Sequence, residues 1–139
     1  MNVFLDANVL VSVLNKEYPL FTYSSRILSL TEQKGNYQLY TSPVCLAISF
    51  YFSEKKSGRQ IAKKKIRLLI SKINTTTIDN TTVLKAVGDK AVEDFEDGLE
   101  YYSALQSACD FIITENIEDF YFSQIPVCNS EQFLEQYLF

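Results

Sequence analysis

Apolar and polar positions along the chain switch repeatedly between a strand period and a helix period. Residues 2–6, NVFLD, read as a short buried strand whose apolar run ends on Asp6, and residues 7–15 read as a helix. From Leu20 to about Lys34, Ile27, Leu28 and Leu30 recur at helical spacing, and Gly35-Asn36 closes the segment. YQLYT alternates as a strand does. SPVCLAISFYFSEKK then opens on Ser42 as N-cap, with Pro43 at the first helical position. Ser57-Gly58 breaks that helix, and RQIAKKKIRLLISKI follows with Ile61, Ile66, Leu69, Ile70 and Ile73 turned toward a core.

The second half repeats the alternation. NTTTID is rich in strand formers, and Thr81 to about Asp89 forms a short helix. DFEDGLEYYSALQSA is a longer helix with Asp94 as its N-cap. DFIIT is a strand, NIEDF a turn, IPVCN a final strand and SEQFLEQYLF a C-terminal helix. Strands separated by helices pair in parallel, with helices on both faces of the sheet. No repeat or linker divides the 139 residues, so residues 1–139 read as a single domain. In such sheets a ligand site forms beyond the carboxyl ends of the strands. Asp6 ends the first strand, Asp119 lies just past DFIIT, and Asp97 begins a helix after NTTTID. Three acids distant in sequence thus converge on one sheet edge.

Composition narrows the chemistry. The chain has no histidine, which removes Ser-His-Asp triads, Cys-His pairs and zinc sites built on histidine. Cys45, Cys109 and Cys128 are odd in number and widely spaced, and read as small buried apolar residues. Catalysis therefore has to rest on carboxylates, lysines, hydroxyls or a metal. No apolar stretch reaches the roughly 20 residues that span a bilayer, and Asp6 falls too early for a signal peptide. A cytoplasmic protein is expected. The net charge of −4 conceals a basic stretch from Lys55 to Lys72 and an acidic one from Glu93 to Asp119, so a polyanionic partner stays compatible with it.

Carboxylates gathered without cations repel one another, and a divalent ion relieves that repulsion. Hard oxygen ligands suit Mg²⁺ or Mn²⁺, which keep several waters and bind phosphates. Each acid also has a plainer role open to it. Asp6 suits an N-cap of the first helix, Asp94 and Asp97 suit a capped first turn, and Asn116 and Asp119 suit a turn after a strand.

FLDANVLV followed by DFEDGLEYYSALQSACDFIITENIEDF resembles the PIN-domain ribonucleases over essentially the whole chain. The shared features are a strand ending in Asp with Asn two residues on, an acid in an ED pair opening a helix, and Thr-x-Asn-x-x-Asp-Phe after a strand. The resemblance implies a three-layer α/β/α sandwich with a parallel sheet of four or five strands, and a metal-dependent endoribonuclease site. Asp6, Asp97 and Asp119 would match the metal-binding, catalytic acids, with Asn8, Glu96, Thr114 and Asn116 in support. It further implies an RNA substrate, the toxin half of a toxin–antitoxin pair with a cognate antitoxin, and a homodimer.

One feature departs from that pattern. The family supplies a further acid about six residues beyond the Ser that starts the helix after the second strand; here that position is Ile48. The expectation therefore divides between an active nuclease with an incomplete acidic site and a PIN-like module that binds RNA or protein without catalysis. Lys55, Lys56, Arg59 and Lys63 are candidates for phosphate contact or for a merely solvated helix face. Tyr101 and Tyr102 belong to the core more readily than to a base-stacking platform. A flavodoxin-like phospho-acceptor is disfavoured, because none of the four glycines forms a phosphate-cradling loop.

Overall fold

The computed structural model describes residues 1–32 and 36–138. Five parallel strands form one sheet: β1 (Asn2–Leu5), β2 (Gln38–Thr41), β3 (Asn74–Thr75), β4 (Phe111–Ile113) and β5 (Val127–Cys128). Their order is β3-β2-β1-β4-β5. The helices are α1 (Ala7–Leu14), α2 (Leu20–Leu28), α3 (Pro43–Ser57), α4 (Arg59–Ile70), α5 (Asn80–Gly88), α6 (Phe95–Gln106) and α7 (Ser130–Leu138).

The chain runs from β1 to β2 to β3 in one direction, then returns to lay β4 on the other side of β1. Right-handed crossovers put α1 to α4 on one face and α5 and α6 on the other, giving the expected three-layer α/β/α sandwich. Packing agrees: α1 touches α2 and α3, α3 touches α4, α7 covers α2, and α5 lies on α6. The direction of strand addition reverses between β1 and β4, which is where an open α/β sheet leaves its crevice. Leu5 pairs with Ile113 across that junction, so Asp6 and Thr114 emerge side by side at its carboxyl edge.

Local sequence explains the starts of the key helices. Ser42 Oγ accepts from the Cys45 N–H, with Pro43 in the first turn of α3. The Asp94 carboxylate accepts from the N–H groups of Glu96 and Asp97 at 2.9 and 3.3 Å. Asp79 and Thr82 cap α5 reciprocally. The core beneath is apolar, with Val3, Phe4, Leu5, Leu10, Ile112, Ile113 and Phe133 fully enclosed. Among the described residues no helix is long and apolar enough to cross a membrane.

Several expectations are corrected. The helix predicted from Leu20 to about Lys34 ends at Leu28 and tightens into a 3₁₀ turn over Ser29–Glu32. Lys34 and Gly35 lie outside the described residues, as does Phe139. NTTTID contributes only two residues of strand. On α4, Leu69 is buried and Ile73 just beyond it is too, but Ile61 and Ile70 are exposed. The reason is one of coverage: α4 is an outer helix resting on α3, and a helix covered along one stripe leaves its other apolar positions in water.

Gly58 joins α3 to α4 at φ 88° and ψ 163°, a conformation that side chains avoid. Nothing lies within 4 Å of where a Cβ would stand, so backbone strain alone decides the outcome. Gly58→Ala is expected to lower stability by about 1–3 kcal/mol. Chemical denaturation of the two proteins checks it.

Candidate functional site

The crevice at the β1–β4 junction is a cavity of about 510 Å³. Asp6, Asn8, Glu96, Asp97, Glu100, Asn116 and Asp119 face it, and Val11, Leu20, Ile48 and Phe52 form an apolar wall. Asp94 and Glu17 complete its acidic rim, and among the described residues no lysine or arginine lines it.

Asp6 is held from two sides. Its Oδ1 accepts from the Ala7 N–H at 2.6 Å and its Oδ2 accepts from Thr114 Oγ1 at 2.7 Å. Capping and cavity-facing roles therefore coincide in one side chain, which is buried at the strand end. Thr114 Oγ1 accepts in turn from Asn8 Nδ2 at 3.2 Å and from the Asn116 N–H at 3.1 Å. Asn8 Oδ1 accepts from the Glu115 N–H at 3.2 Å. This chain of hydrogen bonds ties the start of α1 to the end of β4 and fixes the Asp6 carboxylate. Asp119 sits in a 3₁₀ turn, Ile117–Phe120, on the cavity rim.

Asp97 lies in the first turn of α6, where Asp94 rather than Asp97 does the capping. Burial and the charges of Asp94, Asp6, Asp119 and Glu96 push its carboxyl up to about 7. Glu96 is more exposed, and burial followed by Asp94 and Asp6 raises it too. Both shifts come first from burial and then from the neighbouring acids.

Sequence reasoning missed Glu100. It lies one turn past Asp97, on the same side of α6, and is only 1% exposed. Burial and a hydrogen bond with Asp6 push its carboxyl up to about 11. Cys45 Sγ donates to Glu100 Oε1 at 2.7 Å and lies 4.0 Å from Asp6 Oδ1. Burial, then Glu100 and Asp6, raises the Cys45 thiol well above its ordinary value. All three cysteines are buried as expected, and Cys45, a member of the hydrophobic core, also contacts the Glu100 carboxyl. The i, i+3 spacing of Asp97 and Glu100 was the available signal.

Among the described residues, the potential ligand atoms that lie within 4.8 Å of one another belong to Asp6, Cys45 and Glu100. Asp6, Asp97 and Asp119 share the cavity without forming so tight a group.

The basic candidates lie off the cavity. Lys55 stacks over the Tyr51 ring, Lys56 Nζ donates to the Asn15 carbonyl at the end of α1, and Arg59 pairs with Glu54 at 3.2 Å. Lys63 is exposed on α4. Tyr101 is buried and its hydroxyl accepts from the Gln124 N–H, while the Tyr102 hydroxyl donates to Asp89. Both tyrosines serve packing.

Comparison with known proteins agrees with this geometry. A family model described as PIN domain matches residues 2–118. Ribonuclease VapC1 of Aquifex aeolicus (strain VF5) is 27% identical over 139 residues, covering 97% of this chain and 94% of the relative. The fold is similar to that in VapBC-1 from nontypeable Haemophilus influenzae, with a TM-score of 0.71 and 16% identity over 94% of this chain and 99% of that one. It is also similar to VapBC2 from Rickettsia felis bound to a promoter DNA fragment, with a TM-score of 0.69 and 16% identity over 93% and 98% of the two chains.

Proposed function

The chain belongs to the PIN-domain family, and from that membership we propose that it is a divalent-metal-dependent endoribonuclease. One observation carries the reading: acids from the end of β1, from α6 and from the turn after β4 face a single cavity, and among the described residues no cationic side chain lines it. The charge of that donor set fits Mg²⁺ or Mn²⁺, both hard cations that take carboxylate oxygens. Asp6, Asp97 and Asp119 would hold the ion, which when bound orients a water, lowers its pKa and stabilises charge on a phosphodiester.

The chain's own residues prepare that chemistry. Thr114 and the Ala7 N–H fix the Asp6 carboxylate before any ligand arrives. Asn8 and Asn116 hold Thr114 in turn, so the support runs two residues deep. Asp97 rides on a first turn already capped by Asp94. Glu96 adds negative charge at the rim. Lys55 on α3, with Arg59 and Lys63 on α4, would meet the RNA backbone away from the cleaved bond.

The relatives' ribonuclease and VapBC names support the toxin of a toxin–antitoxin pair with a cognate antitoxin. Ile48, where the family places an acid, favours a second reading as a non-catalytic binding module.

Metal removal separates the two. The purified protein is expected to cut single-stranded RNA in Mn²⁺ or Mg²⁺, to stop in EDTA and to resume when Mn²⁺ is restored. Equal cleavage in EDTA refutes the metal, and no cleavage in either metal leaves the binding module.

A further inference from the structure

We infer that Glu100 is a metal ligand of this cavity and replaces the carboxylate that α3 lacks at Ile48. The inference rests on the metal-dependent reading above and adds a residue to it. Glu100 is almost wholly enclosed, and neither of its neighbours, Asp6 and Cys45, is a cation. A carboxylate in such a place costs stability unless something compensates it.

Its position fits the gap. Cys45 and Ile48 lie three residues apart on one face of α3, and Cys45 touches Glu100. Ile48 and Glu100 line the same cavity. The carboxylate thus reaches the α3 side from α6, one turn beyond Asp97. With Asp6 it supplies both carboxylates of the tightest group of ligand atoms among the described residues. Two carboxylates so close together are the arrangement that a cation relieves. Cys45 positions Glu100 by donating to its Oε1.

A purely structural Glu100 would be a neutral acid bonded to Asp6, and glutamine would serve as well. Mn²⁺ affinity, measured by calorimetry and by electron paramagnetic resonance of free Mn²⁺, tells these apart without any cleavage assay. Glu100→Gln is expected to weaken Mn²⁺ binding by more than about tenfold, since even residues behind the ligands cost that much. Adding Ile48→Glu to that variant is expected to restore binding, because the carboxylate returns from the α3 side. Ile48→Glu in the otherwise native chain should leave affinity near wild type, the position's role being filled already.

Mn²⁺ binding by Glu100→Gln at native affinity, with Asp97→Asn impaired, overturns the role of Glu100 while the metal site stands. A gain of about tenfold or more from Ile48→Glu alone also overturns it, since the ligand was then missing. That arm needs no variant at position 100. A native chain that binds no Mn²⁺ at millimolar concentration overturns both this inference and the reading beneath it.

Discussion

Exchange of Asp97 for asparagine is expected to reduce RNA cleavage at least about a hundredfold, the scale on which single preorganised electrostatic groups act, while the protein stays folded. The carboxylate lies in the field of Asp94, Asp6, Asp119 and Glu96, so its charge opposes the metal-free fold. Asparagine keeps the shape and removes that charge. The capping of α6 is untouched, because Asp94 and not Asp97 receives the first N–H groups. Loss of cleavage with an unchanged or raised melting temperature in EDTA therefore marks a functional carboxylate. Cleavage at the native rate removes Asp97 from the site; loss of both cleavage and folding contradicts the electrostatic account.

The second large effect is on the pH dependence of the metal-free protein. Glu100 and Asp97 have carboxyls raised to about 11 and about 7 in the fold. The folded state then holds protons that the unfolded chain has released. Each raised group contributes stability that is fully present below the ordinary carboxylate range. That contribution is lost progressively as pH rises toward the folded value, at no more than about 1.4 kcal/mol per pH unit for each group. Asp97 is half exposed to solvent screening and contributes less than that limit. In EDTA, stability should fall from pH 5 to pH 8, and Glu100→Gln should flatten most of the slope. Asp79 and Asp89 act with the opposite sign. They are held below the usual range by hydrogen bonds from Thr82 and Tyr102 respectively, so their contribution is lost only as pH drops below about 4. Saturating Mn²⁺ should reverse the slope above pH 5, because carboxylates must lose their protons to bind it. Urea denaturation across this range, with and without Mn²⁺, gives the result; a flat EDTA profile would contradict the burial of Glu100 as a charge-poor acid.

Much of this was legible in the sequence because the signals were local. Ser42-Pro43 and Asp94 announced helix starts through capping chemistry, which needs only neighbouring residues. The apolar run VFL ending on Asp6 marked the first strand, and parallel order followed from the helices between strands. Convergence of Asp6, Asp97 and Asp119 followed from the rule that such sheets place ligands at strand ends.

What escaped depended on tertiary coverage. Helical spacing put Ile61 and Ile70 on apolar positions, but only the packing of α4 against α3 decides which stripe is sheltered. Glu100 looked like one charge in an acidic run. Its burial depends on α3 and β1 arriving from far away in sequence, although its spacing from Asp97 was visible. Cys45 does fill the core as read, but its contact with Glu100, 55 residues on, was hidden for the same reason.

The most direct measurement is anomalous scattering from a crystal of the native protein soaked in Mn²⁺. The account predicts one strong peak in the cavity beyond β1 and β4, within coordination distance of the Asp6 carboxylate and enclosed by Asp97, Glu100 and Asp119. A cavity that stays free of Mn²⁺ density at millimolar soak, or a peak coordinated elsewhere on the molecule, would contradict it.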